Sequence, residues 1–365
     1  MRTISTPTAS TTKANERIEI LDILRGFAIF GILAVNITTF VLPNHDFSMM
    51  NFSDSQWYNQ LALWFNKWFT EGKFYILFSF LFGIGFSVQL NRMTQKDVDI
   101  FAFYPRRLAI LFVIGVLHSF LWWGDVLRLY AILGMGLLLL RKLSVAKLLL
   151  LSALFLGLSA VVSAFPQIFG GENIPNADSV WYSIPFALIH MGPTAFALFL
   201  LGRVVGMMGF FDRLHKHTCT LKKMMVIGLV AWGFLQLALH FVIQPNAWQA
   251  VIAKTLSDMA FTSVYVAVLC LMSLNVKTAH LLKPIANVGR MALTNYVMQT
   301  LICVAFFKLF ALEGKVESAN LLLMTVIIYA LQMWLSGYWL SRFHYGLLEW
   351  VWRSLTLGQR QGLVK

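Results

Sequence analysis

Apolar runs of membrane-spanning length recur from one end of the chain to the other, separated by short polar loops. About ten such runs are expected to be transmembrane helices. Their approximate limits are 20–42, 73–90, 106–123, 126–141, 146–165, 184–209, 224–243, 255–275, 288–311 and 319–341. Stretches such as LLLLSALFLGLSAVVSAF (148–165) show no period of two, so a β-barrel is excluded. WYNQLALWFNKWF (57–69) is amphipathic and too short to span, and is expected to lie in the membrane interface with its tryptophans at headgroup level.

Polar residues interrupt three of the runs. In LDILRGFAIFGILAVN, from Leu21, the interruptions are Asp22, Arg25 and Asn36. At about 100° per residue, Arg25 and Asn36 fall only about 20° apart around a helix, with Asp22 one turn before Arg25 on nearly the same stripe. A charge at bilayer depth costs roughly 2.5–3.5 kcal/mol on insertion scales, so such a stripe faces a partner or a wet cavity. An interfacial Asp22–Arg25 pair that only orients the helix is the structural alternative.

Arg107, His118 and Asp125 lie within about 40° of one another if one helix continues as far as Asp125. Trp122, Trp123 and Arg128 follow close by, and Asp125 with Arg128 could equally form a structural pair. In NVGRMALTNYVMQT, from Asn287, Asn295 and Gln299 share a face and Arg290 starts the span. Amides of this kind often only bond neighbouring helices.

Composition narrows the class. Of 365 residues, 58% are hydrophobic and only 12% are charged, which leaves no room for a separate soluble domain. The expected architecture is an all-α polytopic membrane protein, one bundle over 18–345. A Ser/Thr-rich, disordered cytoplasmic tail (1–17) precedes it and a cytoplasmic tail (346–365) comes after it. The formal charge of +13 does not indicate nucleic-acid binding, because the basic residues fall in short loops. Those loops alternate: Arg92 to Arg107, Arg141 to Lys147, Arg213 to Lys223, Lys277 to Arg290 and Arg353 to Lys365 share one side. The positive-inside rule then puts both termini in the cytoplasm. Three cysteines, Cys219, Cys270 and Cys303, suggest neither a disulfide framework nor a metal cluster. The glycines at 83, 85, 134, 136, 202, 206 and 209 mark close helix packing.

Three blocks resemble the YeiB family of bacterial membrane proteins, a domain-of-unknown-function family. They are LDILRGFAIFGILAVNI from Leu21 with EGKFYILFSFLFGIGFSVQL from Glu71; GVLHSFLWWGDVLRLYAILG from Gly115; and GRMALTNYVMQT from Gly289 with FHYGLLEWVWRSLTLGQRQ from Phe343. The YeiB-type C-terminal region is expected at about 200–360. Leu347 stands where family members often carry proline, and the stretch from Phe307 lacks their glycine-rich run.

The family in turn is similar to a branch of the transmembrane acyltransferases, whose first helix also carries an Arg followed by a polar Asn or His. The resemblance implies an integral protein of the bacterial cytoplasmic membrane that moves an acyl group from cytoplasmic acyl-CoA to an unknown envelope acceptor, small molecule, lipid or sugar. Acyl-CoA would be the donor substrate, with no resident cofactor and no metal.

Acyl transfer needs a base for the acceptor proton, and His118 is the candidate, with Asp125 orienting it or holding acceptor. Asn36, Asn295 and Tyr296 are candidate donors to the thioester oxygen. Arg25, Arg106, Arg107, Arg141 and Arg290 are candidate ligands of the CoA phosphates, unless they serve only orientation and anionic lipid. His45, Asp46, Trp122, Trp123 and Arg128 are candidates on the acceptor side. The rival expectations are a small-molecule transporter or flippase whose Arg107–His118–Asp125 stripe relays protons, and a non-catalytic scaffold. The bilayer is the one sure partner, and a homodimer stays open.

Overall fold

The computed structural model describes residues 19–41, 56–169, 180–242, 248–312 and 315–365. The expected tail 1–17 and the loop holding His45 and Asp46 lie outside them. In chain order the helices are α1 (Glu19–Phe40), α2 (Trp57–Phe65), α3 (Lys73–Gln95), α4 (Ile100–Ser119), α5 (Leu127–Leu139), α6 (Val145–Ala164), α7 (Pro166–Phe169) and α8 (Val180–His190). Next come α9 (Gly192–Met207), α10 (Thr218–Phe241), α11 (Trp248–Leu274), α12 (Val276–Ala279), α13 (Lys283–Arg290), α14 (Ala292–Leu309), α15 (Ser318–Arg342) and α16 (Leu347–Leu357).

Among the described residues, eight helices are long and apolar enough to cross a membrane, and a ninth span results if α8 and α9, bent by 62° at Met191, count as one. The chain is an all-α polytopic membrane protein. The run expected at 126–141 folds as α5, only 13 residues long. Large apolar side chains such as Leu117, Phe120, Val230, Phe234 and Trp334 stay exposed on the outside, as a lipid-facing surface requires.

The bundle is drawn together where glycines let backbones touch. A Cβ on Gly202 of α9 would come within 2.0 Å of the Phe80 carbonyl oxygen, and one on Gly83 of α3 within 2.0 Å of the Phe199 carbonyl. These two helices therefore pack backbone to backbone. The same device joins α1 to α13, where a Cβ on Gly289 would sit 1.8 Å from the Asp22 carbonyl oxygen. Arg203, also on α9, is wholly buried and donates to the carbonyls of Leu140 and Arg141, so it closes the exposed C-terminal end of α5.

Two breaks in helical regularity shape the interior of the bundle. The run expected at 106–123 ends as a helix at Ser119, so the condition that one helix continue to Asp125 is not met: the chain turns through Phe120–Gly124, and Asp125 precedes α5. The expected span 288–311 is divided at Met291 (φ −115°, ψ 33°) into α13 and α14, which leaves the N-terminal amides of α14 open inside the bundle. Within the expected tail 346–365, Leu347–Leu357 folds as α16, whose Trp352 indole donates to the Arg107 carbonyl at 2.8 Å.

Candidate functional site

A cavity of about 300 Å³ opens between α1, α3, α4, α5, α13, α14 and α16. Its polar end is lined by Asp22, Arg25, Gln89, Arg107, Arg290, Glu349 and Trp352. These residues come from the ends of α1, α3, α4, α13 and α16 that adjoin the basic loops. Arg25 is paired with buried Asp22 at 3.3 Å and keeps its side chain one third exposed. The Arg107 guanidinium carbon lies over the Trp352 ring, 3.6 Å from its centre. Such stacking fixes a guanidinium plane without neutralising it.

Glu349 fills the gap made by the break at Met291. Its Oε1 accepts from the amides of Leu293 (2.7 Å) and Thr294 (3.1 Å), and its Oε2 from the Thr294 hydroxyl (2.5 Å). The Thr294 hydroxyl in turn accepts from the Leu348 amide. A carboxylate on open helix N-terminal amides is the favourable polarity, supplied here from a different helix. Burial raises the Glu349 carboxyl above the ordinary carboxylate range, and the Thr294 and Leu293 donors pull it partly back.

The other end of the cavity is apolar and aromatic, with Phe78, Phe82, Tyr130, Val126 and Tyr296 among its walls. Tyr296 is buried, and its hydroxyl makes no hydrogen bond of full geometry. Its ring lies 5.0 Å from the imidazole of His118.

His118 is the centre of a buried relay. Its Nδ1 lies 2.8 Å from Asp125 Oδ1, and its Nε2 lies 2.9 Å from the Thr300 hydroxyl. A carboxylate only accepts, so Nδ1 carries a proton toward Asp125, and in the neutral imidazole Nε2 then accepts from the Thr300 hydroxyl. Asp125 also accepts the Arg128 amide at 3.1 Å and has the Arg128 Nε at 3.5 Å, while Arg128 donates to the Trp123 carbonyl. One carboxylate thus starts α5, balances a buried guanidinium and holds the imidazole. Stripe geometry along one helix did not bring His118 and Asp125 together; the turn at 120–124 did.

Of the five arginines singled out from the sequence, Arg25, Arg107 and Arg290 meet at the cavity. Arg106 is exposed with its guanidinium against Gly358, and Arg141 stacks on Phe101 at 4.0 Å, both away from it. Asn36 is half-buried on α1 and does not line the cavity. Asn295 donates to the Val288 carbonyl and to Ser336, and Gln332 donates to its carbonyl, while Gln299 donates to Gln332. This amide ladder ties α14 to α15. Trp122 packs edge-on against Phe40 at 4.9 Å, 6.3 Å from His118. His45 and Asp46 lie outside the described residues.

Four residues of this region carried no signal of their own in the sequence. Thr300 was only the last letter of a family block, Glu349 and Trp352 stood in an expected tail, and Gln89 ended an apolar run. One cue was available: Thr300 is one turn beyond Tyr296 and so shares its face. A second charge cluster, buried at Lys73 and Asp258 and exposed at Lys254 and Glu71, likewise had no signal in the sequence. Lys73 is 2.8 Å from Asp258, which Lys254 reaches at 3.1 Å, with Glu71 at 3.5 Å from Lys254.

The family model described as Protein of unknown function (DUF418) matches residues 205–359. The chain is 33% identical to the uncharacterized protein YxaH of Bacillus subtilis (strain 168), over 97% of this chain and 98% of that one. It is 30% identical to an uncharacterized 39.9 kDa protein in the amylase 3' region of Bacillus acidopullulyticus, over 95% of each. With the uncharacterized protein YeiB of Escherichia coli (strain K12) it shares 28% identity, over 94% of this chain and 97% of the relative.

Proposed function

The chain belongs to the YeiB-type DUF418 family, and from that premise we propose that it is an acyl-CoA-dependent acyltransferase of the bacterial cytoplasmic membrane, with both termini cytoplasmic. The observation that carries the reading is one cavity with three arginines at its polar end and an apolar end whose wall, Tyr296, touches the imidazole of His118. Guanidinium groups suit the phosphates of CoA, and an aromatic channel suits the pantetheine arm and acyl chain. The cavity volume of about 300 Å³ holds the acylated end and leaves the nucleotide at the arginines.

His118, held by Asp125, is the base that takes the acceptor proton and returns it to the leaving thiolate, work that contributes about 10²–10⁴-fold. Tyr296 is the candidate donor to the thioester oxygen. The acceptor is a hydroxyl or amine of an envelope molecule. A lone buried imidazole–carboxylate pair also suits proton-coupled transport, but a relay alone gives no reason for an arginine-rimmed, apolar-ended cavity.

The test uses purified full chain in nanodiscs, titrated with acetyl-CoA and longer acyl-CoAs while melting and free thiol are followed. Ligand at 100 times its dissociation constant raises stability by about 2.7 kcal/mol. A melting shift in wild type and in His118→Ala, with slow thiol release lost in the variant, supports acyl transfer. No shift and no release from folded protein overturns it in favour of transport.

A further inference from the structure

Resting on the acyl-transfer reading, we infer that Thr300 is a nucleophile that carries the acyl group covalently between donor and acceptor. Asp125 Oδ1, His118 Nδ1, His118 Nε2 and Thr300 Oγ1 form one unbroken line, with contacts of 2.8 and 2.9 Å. That is the order of a nucleophile, its base and the group that orients the base. A base that served an acceptor alone would keep its lone pair for that acceptor. Here Nε2 already lies 2.9 Å from a hydroxyl of the protein, which in the neutral imidazole takes that lone pair.

The line is wholly inside the molecule: Thr300 is 0% exposed, His118 2% and Asp125 5%. A buried hydroxyl can satisfy itself on the carbonyl one turn earlier, as Thr325 and Thr356 do on Leu321 and Trp352. Thr300 is instead directed at an imidazole from another helix. Tyr296, one turn earlier on α14, separates this line from the cavity, so the acyl end arrives past the residue that lies on the same helical face.

The two half-reactions balance. In the first, the Thr300 hydroxyl proton passes to His118 Nε2, Oγ1 bonds to the thioester carbonyl carbon, and the C–S bond breaks. The departing thiolate takes the proton from the imidazolium and leaves as free CoA thiol, with an ester on Thr300. In the second, an acceptor hydroxyl gives its proton to Nε2 and attacks the ester carbonyl. The bond to Oγ1 breaks, and Thr300 recovers the proton.

Full-length protein in nanodiscs is exposed briefly to acetyl-CoA or octanoyl-CoA without acceptor, quenched in acid and mapped by mass spectrometry. Exchange of isotopically labelled CoA into the acyl-CoA pool is followed in parallel. The expected result is an acyl adduct on the Thr300 peptide with label exchange, both retained in Thr300→Ser and lost in the near-isosteric Thr300→Val and in His118→Ala. Thiol release that depends on His118, with neither adduct nor exchange in the wild type, overturns covalent transfer and leaves direct acyl transfer standing. Absence of acyl-CoA binding and of thiol release in folded protein overturns both.

Discussion

Asp125 is asked to do three things at once: hold the His118 imidazole, balance Arg128 and start α5. Both its partners are buried, so removing the carboxylate strands the Arg128 guanidinium in low dielectric. Loss of one partner of such a pair costs about 3–5 kcal/mol, whereas replacing both by apolar groups is often close to neutral. Asp125→Leu should therefore melt far below wild type, and Asp125→Leu with Arg128→Met should recover much of the loss. Equal melting of the single and double variants would show that the uncompensated arginine is not the cause. Glu349 gives a pH test of the opposite kind. Its carboxyl is held above the usual 4.5 by burial, so it favours the folded state when protonated. That contribution is complete below the unfolded value and is lost as pH rises through the folded one. Melting followed from acid to neutral pH should fall less steeply in Glu349→Gln than in wild type, and parallel curves would contradict the assignment.

At the scale of helices, glycines of two kinds are distinguished by what a methyl group would meet. On Gly202 it would meet the Phe80 carbonyl at 2.0 Å, and α9 and α3 would have to separate. Gly202→Ala is expected to cost at least the roughly 1–3 kcal/mol of an overpacked core. On Gly157 of α6 nothing lies within 4 Å, so Gly157→Ala should be neutral or stabilise by up to about 1 kcal/mol through helix propensity. Melting of the two variants should move in opposite directions, and a similar loss in both would mean that α3 and α9 are not in backbone contact. Elements are also where the sequence was most and least legible. Apolar runs announced the helices long enough to span, because length and hydropathy alone decide what can cross a bilayer. Breaks were legible only in part: the apolar runs 106–123 and 126–141 stand apart, but nothing in local composition ends α4 as early as Ser119 or marks Arg290 as the end of α13. The candidate site depends on those breaks. Helical periodicity placed His118 and Asp125 on one stripe, and they do meet, but through a turn that periodicity cannot describe. Thr300 and Glu349 reach the site from separate helices, and pairing between helices leaves no trace in the spacing of residues along one of them.

At the scale of the whole molecule, orientation decides whether the chemistry can work at all. Arg25, Arg107 and Arg290 must face the compartment that supplies acyl-CoA, and these residues share an end of the bundle with the basic loops. In the proposed function that end is the cytoplasmic one, as the positive-inside rule favours. Cys219 offers a direct check without any engineered probe. It is exposed at the start of α10, between Lys216 and Lys222 in one of those basic loops, whereas Cys270 and Cys303 are buried. A membrane-impermeant maleimide should therefore modify one cysteine per chain in inverted inner-membrane vesicles and none in intact spheroplasts, with Cys219→Ser abolishing the label. Labelling from outside would turn the arginine end toward the envelope, away from the CoA pool. The acyltransferase reading would then fail on supply of its donor, whatever the geometry around His118, and a site that admits an external anionic solute would take its place.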